Sequence, residues 1–330
     1  MTPSPQTPSA QSTPSRPGST RNAPPASPSQ GPLVVLGHWG TLGQAVMSVA
    51  AARGWRTLGF SRRSAPGLNL ARLGDLTPWL EPLAPALVIN AAAISDVGAA
   101  EADPMAAMDV HARLPALLAD WGRRSGTPWV QVSTDHFWSG NENQLHDENA
   151  AVKTANVLAR TWREGERMAL RDPGCLLVRT HVAGFRGRAG QPTFVEHLIG
   201  AVGRGETVHA CTDVWASPIE AHQLAGAMLD LVDIGVTGRL HVAAREATSQ
   251  ADFAEAFIRA SGHSPTQLRR TQRPARQQPR RANATGLDVS RAEAWLGRPL
   301  PTADEVAQAL AAHPAMPQPT LRREFDIEVA

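Results

Sequence analysis

The chain has 330 residues, room for one large or two modest domains, and its 42% hydrophobic, 19% charged composition suits a globular protein with a sizeable core. A net charge of +2 excludes a global field that would draw it to nucleic acid or a membrane surface. Two cysteines exclude a disulfide framework, and no apolar run reaches the roughly 20 residues that span a bilayer. The first residues show no charged stretch followed by an apolar one, so the expected location is cytoplasmic.

In chain order, residues 1–31 are mostly Pro, Ser, Thr, Gln and Gly, too poor in large apolar side chains to offset the entropy of ordering; a disordered tail is expected. Leu33-Val34-Val35-Leu36 reads as a strand, followed by a helix over 41–53. Further strands are expected at 56–60, 87–90, 129–133, 175–179 and 239–242, with helices near 75–83, 104–121, 155–171, 193–203 and 221–234. Continuous apolar strands alternating with amphipathic helices predict an α/β fold, a doubly wound Rossmann-type parallel sheet covered on both faces. Later helices near 249–261, 289–297 and 302–312 have few strands between them and suggest a smaller, discontinuous substrate-binding lobe. The expected division is 32–182 for the dinucleotide-binding domain, with 219–246 returning to it, 183–218 and 247–312 for the lobe, and a tail over 313–330.

Gly37-His38-Trp39-Gly40-Thr41-Leu42-Gly43 lies between the first strand and the first helix. Glycines there allow unusual backbone angles and let a pyrophosphate approach the helix N-terminus, whose free N–H groups and dipole favour negative charge. This context makes Gly37, Trp39, Gly40, Thr41, Leu42 and Gly43 candidate cofactor-binding residues. The second strand runs into Ser61-Arg62-Arg63-Ser64, where an acidic residue would select NAD. Two guanidinium groups beside a hydroxyl suit a 2′-phosphate instead, so NADP(H) is the expected cofactor and NAD(H) the poorer one.

Asn90-Ala91-Ala92-Ala93, Asp109-Val110-His111-Ala112 and Ser133-Thr134-Asp135-His136-Phe137-Trp138-Ser139-Gly140 resemble successive signatures of the extended short-chain dehydrogenases. Within these they look most like the dTDP-4-dehydrorhamnose reductase family, whose order is NAAA, VNA and STDYVFDG. Leu177-Val178-Arg179-Thr180 and Ala216-Ser217-Pro218-Ile219 resemble its VVRT and GSPT segments, and 281–301 resembles its RPANSxLDxSKLxxxLGxxLP ending. The resemblance covers about 33–312 and implies reduction of the 4-keto group of a nucleotide-linked sugar by a nicotinamide. It assigns Asn90, Ala91, Ala92 and Ala93 to the cofactor, Ser133, Arg281 and Asn283 to the substrate, and Thr134 to the carbonyl oxygen. It is compatible with a homodimer or a regulatory protein partner.

The pattern breaks at its chemical centre. The family segment NxYGxSKxxGE aligns with 156–166, placing Leu158 at the tyrosine and Trp162 at the lysine, and the chain contains no tyrosine at all. A leucine has no proton to give and an indole holds no charge; losing a positioned acid costs about 10²–10⁴-fold. His136 is the candidate replacement acid, because its ordinary pKa suits proton transfer. The two readings are a reductase weakened or altered in this way, and a non-catalytic dinucleotide-binding regulatory or scaffold subunit. The arginines between 269 and 281 lack interleaved aromatics and read as an anion-binding or solvated stretch of the lobe, not a nucleic-acid surface. None of the eleven histidines has a metal-ligand spacing, so no metal is expected.

Overall fold

The computed structural model describes residues 26–61, 76–140, 143–187, 192–274, 279–314 and 316. Strand β1 (Leu33–Leu36) leads into helix α1 (Thr41–Ala52), β2 (Thr57–Phe60), α2 (Leu76–Leu83) and β3 (Leu87–Asn90). Next come α3 (Val97–Ala102), α4 (Pro104–Met108), a π-helical turn (Asp109–Arg113), α5 (Leu114–Ser125) and β4 (Trp129–Val132). A two-residue β5 (Leu145–His146) precedes α6 (Val157–Ala169), β6 (Cys175–Arg179), β7 (His181–Ala183) and α7 (Phe194–Gly203). Then follow β8 (Val208–Cys211), β9 (Trp215–Ala216), β10 (Pro218–Glu220), α8 (Ala221–Asp233) and β11 (Gly238–His241). The chain closes with β12 (Thr248–Ser249), α9 (Gln250–Ala260), β13 (Leu268–Thr271), β14 (Ala284–Leu287), α10 (Ser290–Leu296) and α11 (Ala303–Ala311).

Six strands form one parallel sheet in the order β11-β6-β4-β3-β1-β2. Their two-residue period divides the apolar side chains between two cores. Leu33 and Val35 of β1, with Leu87 and Ile89 of β3, face the core shared with α1 and α8. Val34, Leu36 and Val88 face the opposite core, with Leu114 and Leu118 of α5. Burial on both faces is what makes these strands read as unbroken apolar runs. The strand order reverses at β1, where β2 and β3 flank it, which opens a crevice at the carboxyl ends of the strands. A third core gathers α7, α9 and α11 around Leu198, Phe257 and Leu310 and forms the smaller lobe. Among the described residues no helix is long and apolar enough to cross a membrane.

Three expectations change. Residues 26–31, assigned to the disordered tail, include a 3-10 turn at Pro28–Gln30, and Ala26 is buried against the first core. The single helix expected over 104–121 is α4, the π turn and α5, because Pro115 has no N–H for the His111 carbonyl four residues back. Leu114 N–H bonds instead to the Asp109 carbonyl, five residues back. The lobe also carries short strands that the sequence did not reveal, pairing as β10-β7, β13-β8 and β12-β9-β14-β5.

Candidate active site

The β1–α1 turn and the end of β3 meet as the glycine pattern requires. Gly37 has φ +87°, and a Cβ there would lie 2.6 Å from the Ala92 nitrogen, so only glycine allows the two strand ends to touch. A Cβ on Gly43 would lie 2.3 Å from the Gly37 carbonyl oxygen. Gly40 caps α1 with no side-chain hydrogen bond, which leaves the first-turn N–H groups of Thr41, Leu42 and Gly43 without a side-chain cap. Asn90 is sealed in: it donates to Gln131 Oε1 and accepts from Ala92 N–H, shaping the turn through Ala91 to Ala93. Trp39 in the same turn is 58% exposed. This cradle fits a dinucleotide pyrophosphate. Ser61 follows β2 directly; Arg62 and Arg63 lie outside the described residues.

Helix α6 carries the tyrosine and lysine positions. Asn156 caps it by accepting from Ala159 N–H, and Glu101 accepts from Val157 N–H. Leu158 is 1% exposed and packs in the first core. Trp162 stacks on the His111 ring, centroids 4.3 Å apart, so the lysine position is filled by an indole on a histidine that occupies the family's asparagine position. Thr161 donates its hydroxyl to the Leu158 carbonyl and accepts from His111 Nδ1, while His111 Nε2 accepts from Ile94 N–H. Both ring nitrogens are thereby used in the neutral form, and burial lowers the His111 pKa to about 4.

The segment after β4 divides into inward and outward residues. Ser133, expected at the substrate, is buried and donates to Glu166 Oε1 at 2.6 Å. Glu166 is held by a bidentate pair with Arg179 at 2.8 and 2.7 Å. Thr134 is half-buried and accepts from His136 N–H. Asp135, 1% exposed, accepts from His181 Nδ1 at 2.7 Å and from Thr285 Oγ1 at 2.5 Å. Burial pushes its carboxyl up, but His181 and His136 and these two hydrogen bonds outweigh it and hold the pKa at about 2. His136 Nε2 lies 3.6 Å from Asp135 Oδ1, and its ring is nearly parallel to His181 with centroids 6.4 Å apart. Arg281 is exposed near Asp96, and Asn283 donates to the Asp213 carbonyl beside β9.

A cavity of about 270 Å³ lies between β7 and the lobe, lined by His181, Gly184, Thr193, Phe194, Gln250 and Phe253 among others. It meets the cofactor cradle at Gly184, where a Cβ would lie 2.7 Å from Thr41 Cγ2. His181, Asp135 and Thr285 were missed as a group in the sequence; the only signal was Asp135 in the STD segment. Glu220, His222 and His313 also draw together, with His222 donating to the Glu220 carboxylate that caps α8. In both groups a ring-to-carboxylate hydrogen bond already occupies the carboxylate, so neither is assigned as a ligand set.

Residues 31–314 match the family described as the RmlD substrate binding domain. The chain is 33% identical to a probable low-salt glycan biosynthesis reductase, Agl14, of Haloferax volcanii, over 68% of this chain and 77% of that one. It is 30% identical to a dTDP-4-dehydrorhamnose reductase of Mycobacterium tuberculosis, over 72% and 78%. Among solved structures, a hypothetical dTDP-4-dehydrorhamnose reductase from Sulfolobus tokodaii superposes with a TM-score of 0.70 at 25% identity, covering 79% and 93% of the two chains. A dTDP-4-dehydrorhamnose reductase of Bacillus anthracis in complex with NADP shares the fold with a TM-score of 0.75 at 18% identity, covering 85% and 97%.

Proposed function

Because the chain belongs to the dTDP-4-dehydrorhamnose reductase family, we propose that it binds NADP(H) and reduces a 4-keto group on a nucleotide-linked deoxysugar without the family's tyrosine–lysine pair. The observation that carries this reading is Gly184, which lines the cavity and touches the first turn of α1, so that one ligand in each place would meet at the carboxyl ends of the strands. Gly37, Gly40, Thr41, Leu42 and Gly43 would hold the pyrophosphate, and the Asn90–Ala93 turn would wall the crevice. Bound NADPH supplies the hydride. Ser61, Arg62 and Arg63 favour the 2′-phosphate, and Thr134, two residues beyond β4, would orient the carbonyl.

A second reading is favoured by Leu158 and Trp162. Both are packed into the core, and Trp162 is stacked on His111, as in a chain whose helix serves structure alone. On that reading the protein is a dinucleotide-binding regulatory or scaffold subunit. Titration with NADPH and NADH, then addition of a dTDP-4-keto-6-deoxy sugar while cofactor absorbance is followed, separates the two. NADPH binding tighter than NADH, with steady oxidation on adding the sugar, is the expected result. Tighter NADH binding overturns the cofactor preference, and tight binding without oxidation replaces the reductase by the regulatory subunit.

A further inference from the structure

Without a tyrosine, the reductase reading needs another proton donor, and the cavity offers one built group. His181 opens β7, and its Nδ1 donates to Asp135 Oδ2 at 2.7 Å. Thr285, arriving on β14, donates to the same carboxylate oxygen. His181 lines the cavity, and beyond its bond to Asp135 the ring makes no other hydrogen bond among the described residues. His181 is also the one ionisable residue in the lining, which otherwise consists of apolar, hydroxyl and amide side chains with Gly184. A ring anchored at one nitrogen by a buried carboxylate, on a residue that lines a cavity, leaves its second nitrogen to serve as a general acid.

We infer that Asp135 and His181 form the proton-delivering pair of this site, His181 as the catalytic residue and Asp135 as its positioning residue, acting on a keto group held in the cavity. The inference rests on the reductase reading above. As hydride from NADPH adds to the carbonyl carbon, the C=O π pair moves to oxygen, the His181 Nε2–H bond breaks and an O–H bond forms. The ketone becomes an alcohol, NADPH becomes NADP⁺, and neutral His181 stays hydrogen-bonded to the Asp135 carboxylate. Its side chain is 37% exposed, which gives water a path to return the proton.

The surrounding charges support this order of events. Burial disfavours the imidazolium, but the Asp135 carboxylate and its hydrogen bond outweigh that and raise the His181 pKa. His136, from the loop after β4, is lowered by burial, with His181, Arg281 and Arg273 adding positive charge against the Asp135 carboxylate. No charged group reaches the cavity lining from α7 or α9. Of the two rings, His181 is therefore the one that holds the proton to higher pH.

The test uses the full chain with NADPH and a dTDP-4-keto-6-deoxy sugar. His181→Gln should lose about 10²–10⁴-fold in kcat while NADPH affinity and thermal midpoint hold. Added imidazole should restore part of the turnover of His181→Gly. By histidine NMR, His181 should titrate above the ordinary 6.5, and Asp135→Asn should bring it down. The basic limb of the kcat–pH profile should move down with it, which a purely structural pair would not produce. An active wild type with an equally active His181→Gln overturns the pair and leaves the reductase standing. A wild type that binds NADPH but never oxidises it overturns both. So does turnover that depends on stoichiometric zinc lost in the His181 variants, which would make the cluster a metal centre.

Discussion

Glu166 and Arg179 are 3% and 1% exposed, so their charges are stable only together. Ser133 donates to the same carboxylate, and Arg239 lies 3.6 Å from it. Arg179→Met should cost about 3–5 kcal/mol in urea unfolding, because it strands a buried carboxylate. A change near zero would mean that water reaches Glu166. The flanks of the NxYGxSKxxGE segment were legible as a register, yet the partners of Glu166 were not, since residues after different strands share no spacing rule. Asp135 and His181 escaped for the same reason, standing 46 residues apart. His111 supports a pH prediction. Its pKa falls from 6.5 to about 4 on folding, so below 6.5 the unfolded chain binds the proton that the folded one refuses. Stability is full above that pH and declines toward 4, by about 3 kcal/mol from this ring. His241, lowered to about 3 by burial and by Arg179, adds to the same decline. Comparing urea stability at neutral and acidic pH in wild type and His111→Asn should show a shallower decline in the variant. An identical decline would assign the loss to other groups.

Between elements, the π turn and α6 fit as a pair. Pro115 leaves the His111 carbonyl without its helical donor, and α6 packs directly over that oxygen at Gly165. A Cβ on Gly165 would lie 1.7 Å from the His111 oxygen, a backbone atom that cannot turn aside. Gly165→Ala should therefore destabilise by about 3 kcal/mol or more, above the usual range for overpacking, and lower the thermal midpoint. A neutral result would show that α6 sits farther out. Apolar periodicity reads straight through a one-turn π segment, which is why 104–121 looked like one helix. Pro115 stood inside that expected helix, where a proline marks a kink or break but does not say that the ladder widens into a π turn. The four- and five-residue strands of the main sheet were plain from sequence because burial on both faces makes most of them largely apolar. Strands of two residues such as β9 and β12 show no period to detect.

At the scale of the molecule, sequence order and core membership part company. The first core, built on β1, β3 and α1, also contains Leu287, Val289, Ala292, Trp295 and Leu300 from the end of the described chain. Helix α10 packs on α8 and β11 and closes that core after the chain has passed through the lobe. This explains why a motif near the C-terminus resembles the family as strongly as the glycine turn does: its Leu and Val side chains complete the sheet's cover. It also makes a simple cut informative. A chain ending at residue 246 keeps all six sheet strands but loses four large apolar side chains from the core. At roughly 1.5–3 kcal/mol for each, the loss is about 6–12 kcal/mol, as large as the net stability of an ordinary domain. The truncated chain should therefore lack a cooperative unfolding transition and bind no NADPH, although every glycine of the cradle is present. A sharp transition near that of the full chain would mean that the sheet and its helices hold without the returning segment, and that α10 serves the lobe alone.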